Sequence, residues 1–116
     1  MEKIYDLHTF GRTHKIELMK GNYQSNGTLA IRMVEVFDDG HKESWSILTV
    51  NIQDSDWVAN SVNLAFVDTN NNGSDIIHWL EENDIAYSVG IEGRSGWCSY
   101  PLVRFTENAL KNMSNW

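Results

Sequence analysis

One stretch decides the fold class, because an apolar run stops abruptly in amide-rich sequence and leads into a helical pattern: Ala65-Phe66-Val67-Asp68-Thr69-Asn70-Asn71-Asn72-Gly73-Ser74-Asp75. The segment from Val62 to Val67 is short and largely apolar, which is typical of a strand inside a sheet. An oxygen at Ser74 or Asp75 can cap a helix, and that helix has an apolar stripe of Ile76, Ile77 and Leu80. The stretch therefore predicts a strand, a turn and a short helix in succession.

Alternating apolar and polar residues predict antiparallel strands before this stretch. We expect strands over Lys3 to Phe10, Thr13 to Met19, Thr28 to Phe37, and Glu43 to Ile52. The first two are joined at Gly11-Arg12, and Asp38-Asp39-Gly40 supplies the turn between the last two. These connections predict a meander.

The carboxyl-terminal third predicts further strands and a helical end. Ile85 to Ile91 reads as a short strand, Glu92 to Gly96 as a loop, and Ser99 to Phe105 as a last strand. Pro101 favours an edge position for that last strand, because proline lacks the N–H group. Thr106 is a cap for one or two helical turns. The expected fold is α+β, with an antiparallel meander sheet of about five to six strands, one short central helix and a C-terminal helical turn.

The length and composition predict one globular domain over residues 1–116. The hydrophobic fraction of 41% and the five Trp residues are ample for a core. The single Cys98 fits a reducing compartment. We find no signal-like apolar segment at the amino terminus and no apolar run near the ~20 residues that span a bilayer, which predicts a cytoplasmic protein without a membrane partner.

The charge balance bears on partners. Sixteen acidic and nine basic side chains give a net charge of −7, which disfavours direct attraction to nucleic acid or to anionic lipid. The acids occur in short groups such as Asp38-Asp39 and Glu81-Glu82. A solvated surface that keeps the protein soluble explains this balance as well as a binding surface does.

The amide-rich turn supports two interpretations. Asp68, Asn70, Asn72 and Gly73 match the opening of an EF-hand calcium loop, in which alternate oxygens converge on a hard cation. The twelfth position, where that loop needs a bidentate Glu, is Trp79. The pattern favours the other interpretation, a structural turn whose side chains satisfy the ends of the strand and the helix.

Other chemical motifs are weak. The segment Gly90 to Gly96 surrounds Arg94 with glycines, yet a strand instead of a helix follows it, so a hairpin-like connection is favoured over a phosphate cradle. Cys98 and the four scattered His residues have neither the spacing of a nucleophile and base pair nor that of a zinc site. The sequence predicts no catalytic residues, no cofactor and no metal.

Large aromatics are the remaining clue, because they anchor many protein interfaces. Packing in the core accounts for most Trp residues of a small sheet. Trp57 lies between acidic residues in an irregular segment and is the best candidate for an exposed anchor. The candidate binding residues are Asp68, Asn70, Asn71, Asn72, Arg94, Trp97 and Trp57.

Three short motifs carry a family resemblance: Thr49-Val50-Asn51, Asp68-Thr69-Asn70-Asn71, and Ser95-Gly96-Trp97-Cys98-Ser99-Tyr100-Pro101-Leu102 with Phe105. In their order and spacing the chain resembles a small bacterial family of unknown function, over nearly its whole length. Members of that family are often carried by gut bacteria on plasmids, conjugative elements or phages. The resemblance implies a bacterial origin and a mobile-element setting, and it supplies no catalytic residues.

Two functional hypotheses follow. The first is a noncatalytic protein-interaction module that binds another protein, as a mobile-element accessory or anti-defence factor; a mimic of DNA that blocks a defence enzyme is a special case. The second is a small-ligand-binding protein or enzyme that uses the loop from Asp68 to Asn72 beside Arg94 and Trp97, with Asp68 as base or acceptor. The sequence leaves the partner and the oligomeric state open.

Overall fold

Two β-sheets share one hydrophobic core in a computed structural model, which describes residues 3–9, 11–52, 58 and 61–116. The sheets are mainly antiparallel, and short helices connect or flank their strands. The α+β class is therefore confirmed. The single sheet of about five to six strands that the sequence predicts is wrong, because the nine strands of the described residues divide between two sheets.

The first sheet contains the predicted meander. Its strands lie in the order β1-β2-β3-β4. A fifth strand, β9, runs parallel to β2 and pairs Ser114 with Met19. The bounds are β1 Ile4–Thr9, β2 Arg12–Asn22, β3 Leu29–Val36, β4 Lys42–Ile47 and β9 Ser114–Asn115.

The second sheet has the order β5-β6-β8-β7. Its strands are β5 Thr49–Val50, β6 Leu64–Val67, β7 Ala86–Ser95 and β8 Cys98–Phe105. Three helices have described bounds: α1 Thr69–Asn72, α2 Asp75–Glu82 and α3 Glu107–Lys111. The interior position predicted for the strand ending at Val67 is confirmed, since β6 lies between β5 and β8.

The main core lies between the two sheets and α2. The first sheet contributes Ile16 and Leu18, whose neighbours Lys15 and Glu17 face the other side. The second sheet contributes Val67 and Val103. Residues of opposite parity in the same strands, Phe66, Tyr100 and Leu102, face away from the main core. They form a smaller cluster with Ile52 and Val58, which lie outside the strands.

The predicted strand from Glu43 to Ile52 is wrong as one element, because it divides into β4 and β5 in different sheets. Leu48 stands at the division, completely buried. Its N–H donates to the Ile31 carbonyl at 2.9 Å, and its carbonyl accepts from the Asp68 N–H at 2.8 Å. The apolar alternation changes phase at this point, from Trp45 and Ile47 to Leu48, Val50 and Ile52, and the prediction of one continuous strand overlooked that change.

The predicted loop from Glu92 to Gly96 is also wrong. Pairing of β7 with β8 continues to Ser95 and Cys98, so only Gly96 and Trp97 form the turn. Between Ser88 and Glu92 the register shifts, which marks a β-bulge. Pro101 stands next to this shift in a strand with neighbours on both sides, so its predicted edge position is wrong.

The two predicted helices are confirmed, but Ser74 precedes α2 without the side-chain capping hydrogen bond that the sequence predicts. Helix α2 buries Ile76, Trp79 and Leu80 on its inner face. Thr106 caps α3, where its Oγ1 accepts from the Ala109 N–H at 3.1 Å. In the described part of the chain, no helix is long and apolar enough to cross a membrane.

Candidate functional site

The amide-rich turn is a short helix fixed by its own side chains. Asp68 caps α1: its Oδ1 accepts from the Asn71 N–H at 3.1 Å, and its Oδ2 accepts from the Asn71 side-chain amide at 2.7 Å. Gly73 ends the turn with a φ of 83°, in the left-handed region that favours glycine. The carboxylate of Asp68 thus bonds within the turn, as the structural interpretation expects.

Asn72 ties the same turn to the first sheet. Its Oδ1 accepts from the Ser46 hydroxyl at 2.7 Å, and its Nδ2 donates to the carbonyls of Ile47 and Asp68 at 3.1 and 2.9 Å. These three bonds use the whole hydrogen-bonding capacity of the Asn72 Nδ2 group and part of that of Oδ1. As a result, α1 is held against the end of β4.

An open groove of about 1050 Å³ lies beside this anchored turn. One wall is the end of β1 together with β4, and the other wall is α1 and α2. The lining residues are Leu7, His8, Thr9, Trp45, Ser46, Asn70, Asn71, Asn72, Gly73, Ser74, Asp75, Ile76, His78, Trp79 and Glu82. The groove therefore contains three of the residues predicted from the sequence, Asn70, Asn71 and Asn72.

Two tryptophans on opposite walls of the groove are fixed by their neighbours. Trp79 of α2 is 8% exposed, and its indole N–H donates to the Asp6 carbonyl at 2.7 Å. Trp45 of β4 packs on the His14 ring with centroids 4.4 Å apart, and His14 Nδ1 lies 2.6 Å from the Glu35 carboxylate. Because both indoles are braced from behind, the groove has an ordered aromatic lining, to which Trp79 adds only the small exposed part of its ring.

The side chain of Asp6 is braced as well. Its carboxylate accepts from the Lys15 ammonium at 2.6 Å, and this hydrogen bond is the main cause that lowers the Asp6 pKa. This contact joins β1 to β2 at Asp6, the residue whose carbonyl accepts the hydrogen bond from the Trp79 indole.

The rim of the groove is acidic and amide-rich. Glu82 pairs with His78 at 2.6 Å across one helical turn, whereas Asp75 and Asn70 have no side-chain partner among the residues that the structure describes. His8 Nδ1 lies 2.7 Å from the Thr13 hydroxyl. No Lys or Arg is among the described residues that line the groove. A smaller depression of about 320 Å³ at the β1–β2 turn contains Arg12.

The hairpin of β7 and β8 places two other predicted residues outside the groove. Arg94 pairs with Ser99 near the end of the hairpin, and Trp97 occupies the turn itself with 97% of its surface exposed. Gly96, with a φ of 61°, allows the tight turn. The structure thus separates Arg94 and Trp97, at the hairpin tip, from the three asparagines of the groove.

The hairpin tip and α1 nevertheless lie at the same end of the second sheet. Extending the pairing of Phe66 with Leu102 by two residues places Asp68 level with Tyr100. A hydrogen bond with Cys98 is the main cause that raises the pKa of Tyr100, and the charge of Asp68 also contributes. Helix α1 contacts β8 directly.

Cys98 and the histidines do not meet in the described structure. Cys98 is partly buried at the start of β8. Each histidine bonds to a different group: His8 to Thr13, His14 to Glu35, His41 to Asp39 and Glu43, and His78 to Glu82. No cluster of three or more potential metal ligands is present in residues 3–9, 11–52, 58 and 61–116. Trp57 lies outside the described residues.

Sequence reasoning missed most of the groove. Trp79 falls on the predicted apolar stripe of α2, three residues after Ile76, so its packing could have been inferred. The contribution of Leu7, His8 and Trp45 depends on a contact between the first sheet and α2, and no local pattern signals it. The acidic rim contains Asp75 and Glu82, which the sequence indicates only as a helix cap and as part of an acidic pair.

The geometry defines a small two-sheet α+β protein with an open, aromatic and acid-rimmed groove, and it contains no recognised catalytic constellation among the described side chains. A model of a protein family, described as Domain of unknown function (DUF4313), matches residues 17–115. The chain belongs to that family. Neither a curated protein nor a solved structure matches it.

Proposed function

We propose that this protein is a noncatalytic protein-interaction module whose groove holds a basic and apolar segment of another polypeptide. The groove between β1, β4 and α2 is the observation that carries this proposal. Its volume of about 1050 Å³ lies at the upper end of the range for small-molecule pockets, roughly 300–1,000 Å³, and its open form suits several side chains of a chain segment.

Aromatic residues on both walls support an apolar contact. Trp45 and Trp79 are braced by His14 and by the Asp6 carbonyl, so a partner gains contact area without first ordering these side chains. Trp is the residue type most enriched at the energetic centres of protein interfaces. An apolar or aromatic side chain of the partner is expected to lie against them.

Acidic groups on the rim support a basic partner. Asp75 provides a carboxylate without a partner among the described residues, Glu82 provides one that is shared with His78, and none of the described lining residues is Lys or Arg. The net charge of −7 adds a long-range attraction for cations. Arg is the best-matched residue, since its guanidinium can bind a carboxylate and also stack on an indole.

The mobile-element role and the DNA-mimic role are two specific forms of the interaction hypothesis. A mobile-element accessory or anti-defence role is the setting in which we place this binding activity. Mimicry of DNA needs a row of uncompensated carboxylates, whereas many described acids have a cationic or histidine partner: Asp6 with Lys15, Glu17 with Lys42, Glu35 with His14, and Glu107 with Lys111. The general form of the interaction hypothesis is therefore the one that we propose.

The small-ligand or enzyme hypothesis has weaker support. Asn70, Asn71 and Asn72 line the groove, but Asp68 bonds to Asn71 and Arg94 stands at the hairpin tip. Asp68 and Arg94, the two charged residues of that hypothesis, therefore do not line the groove.

A peptide titration followed by backbone amide NMR tests the proposal. The probe is an eight-residue peptide of alternating arginine and leucine, and the control peptide replaces each arginine by glutamate. We expect the arginine peptide alone to shift the amides around Leu7, Trp45 and His78. The double variant Asp75→Asn with Glu82→Gln should weaken binding by about three- to tenfold, because it removes the rim charges but keeps their shape.

A matched variant separates local from overall charge. Glu92→Gln with Glu107→Gln removes the same charge at exposed positions that do not line the groove, and it should bind nearly as well as the unaltered protein. If both double variants bind the arginine peptide equally weakly, the loss of affinity depends on net charge alone. That result would overturn the groove as the binding site. An absence of amide shifts with the arginine peptide would overturn the proposed function.

A further inference from the structure

The tip of the β7–β8 hairpin exposes an aromatic side chain that the fold does not use. Trp97 is 97% exposed, whereas Trp79 is 8% exposed. The hairpin that supports it is well paired, with Arg94 opposite Ser99 and Ser95 opposite Cys98. A large apolar side chain on an ordered turn loses little conformational freedom when it is buried by a partner.

The tip carries an aromatic side chain and a cation of the kinds that the groove's occupant needs, with Glu92 two residues before that cation. Arg94 lies three residues before Trp97, and its guanidinium has no partner among the described residues. Together they supply one cation and one large aromatic surface. The groove supplies carboxylates at Asp75 and Glu82 and aromatic surfaces at Trp45 and Trp79.

The position of the tip allows two copies to exchange it. Strand β8 contacts α1, and α1 contributes Asn70, Asn71 and Asn72 to the groove. Tip and groove thus flank the same short helix. Two molecules related by a twofold axis can each place a tip in the other's groove, which closes the assembly at two copies.

We infer that the groove receives the hairpin tip of a second copy of this chain, with Trp97 against the groove's tryptophans and Arg94 at its acidic rim. This inference rests on the proposed function and names the partner segment. The interface is reciprocal, so each dimer contains two such contacts.

Sedimentation velocity over a series of protein concentrations tests the inference. We expect the unaltered protein to pass from monomer to dimer as its concentration rises. Trp97→Ala should reduce the association constant by tenfold or more, because it removes the central aromatic anchor. Ser99→Ala changes an exposed position on the same hairpin and should leave association unchanged.

Mixing two defective proteins provides the sharper test. Trp97→Ala retains a groove but lacks the anchor, and Asp75→Asn with Glu82→Gln retains the anchor but has a neutral rim. Their mixture should associate more strongly than Trp97→Ala alone, since one of the two reciprocal contacts in the mixed dimer is intact. A monomer at all concentrations, or a dimer that is insensitive to Trp97→Ala, would overturn the inference.

The outcomes distinguish this inference from the proposed function. If the arginine and leucine peptide shifts the groove amides while the protein stays monomeric, the groove binds a segment of a different polypeptide and the self-association is wrong. If the peptide causes no shift, the proposed function fails first.

Discussion

Two tryptophans of this chain have opposite environments. Trp79 lies on α2 beneath the groove, where it contacts Tyr5 edge-on with ring centroids 6.1 Å apart and donates to the Asp6 carbonyl. Trp97 stands in the β7–β8 turn with almost all of its surface in solvent. The first connects α2 to the first sheet, and the second connects nothing within the described chain. The difference separates side chains that hold the fold together from one that is available to a partner.

The polar residues divide in the same way. Asp68 and Asn72 bond within α1 and to β4, so they support the position of the groove. Asp75 and Arg94 have side chains without a partner among the described residues. We expect Asp68 and Asn72 to contribute to the free energy of unfolding, and Asp75 and Arg94 to contribute to the free energy of binding.

Trp79→Ala should have the largest effect on stability. The substitution removes a buried indole and its hydrogen bond to Asp6, and large-to-small changes of this kind cost about 3–5 kcal/mol. Urea unfolding followed by circular dichroism measures it. A loss below about 1 kcal/mol would show that Trp79 does not join α2 to the first sheet.

Gly93→Ala should destabilise the second sheet by about 1–3 kcal/mol. A Cβ atom added at Gly93 would lie 2.6 Å from the Phe66 ring and 2.9 Å from Ile52, so the smaller core cluster must move to accept it. Ser95→Ala, two residues along the same strand and exposed, is the control and should be neutral. Equal stability of the two variants would mean that β7 does not pack closely over Phe66.

Asp68→Ala should cost about 1 kcal/mol, the usual effect of removing a helix cap. The carboxylate accepts two hydrogen bonds from Asn71 that alanine cannot replace. Asn70→Ala, on the same turn but without a side-chain partner in the described structure, should change stability by less than about 0.5 kcal/mol. The free energies of unfolding of the two variants check this prediction, and identical values would contradict the capping role.

Trp97→Ala should have the smallest effect on stability, within about 0.5 kcal/mol of the unaltered protein. The side chain buries almost no surface in the monomer, so its removal exposes nothing new. The same unfolding experiment at low protein concentration measures it. A loss comparable to that of Trp79→Ala would show that the tip packs within the chain.

The sequence predicted the fold where local patterns were sufficient. The alternation around Ile16 and Leu18 located the first hairpin, and Ile76 and Leu80 located α2. The division into two sheets depends on Leu48, whose backbone bonds to Ile31 and to Asp68. Those bonds join residues far apart in the sequence, so the change of phase at Leu48 does not show which sheet each half of the segment joins.

The candidate site was predicted only in part for the same reason. The amide-rich turn was located, and Asn70, Asn71 and Asn72 line the groove. The opposite wall, with Leu7, His8 and Trp45, approaches them only after the first sheet has packed on α2. Trp97 was identified from its residue type, and its exposure follows from the length of a hairpin that the sequence underestimated.

The indole N–H signals in proton–nitrogen NMR spectra, recorded from micromolar to millimolar protein, test the central claim most directly. We predict that the Trp97 and Trp45 signals and the amides lining the groove shift together as the concentration rises, while the amides of α3, which does not line the groove, move least. If the Trp97 signal and the groove amides stay constant over the whole range, the tip does not enter the groove of a second copy and the account is contradicted.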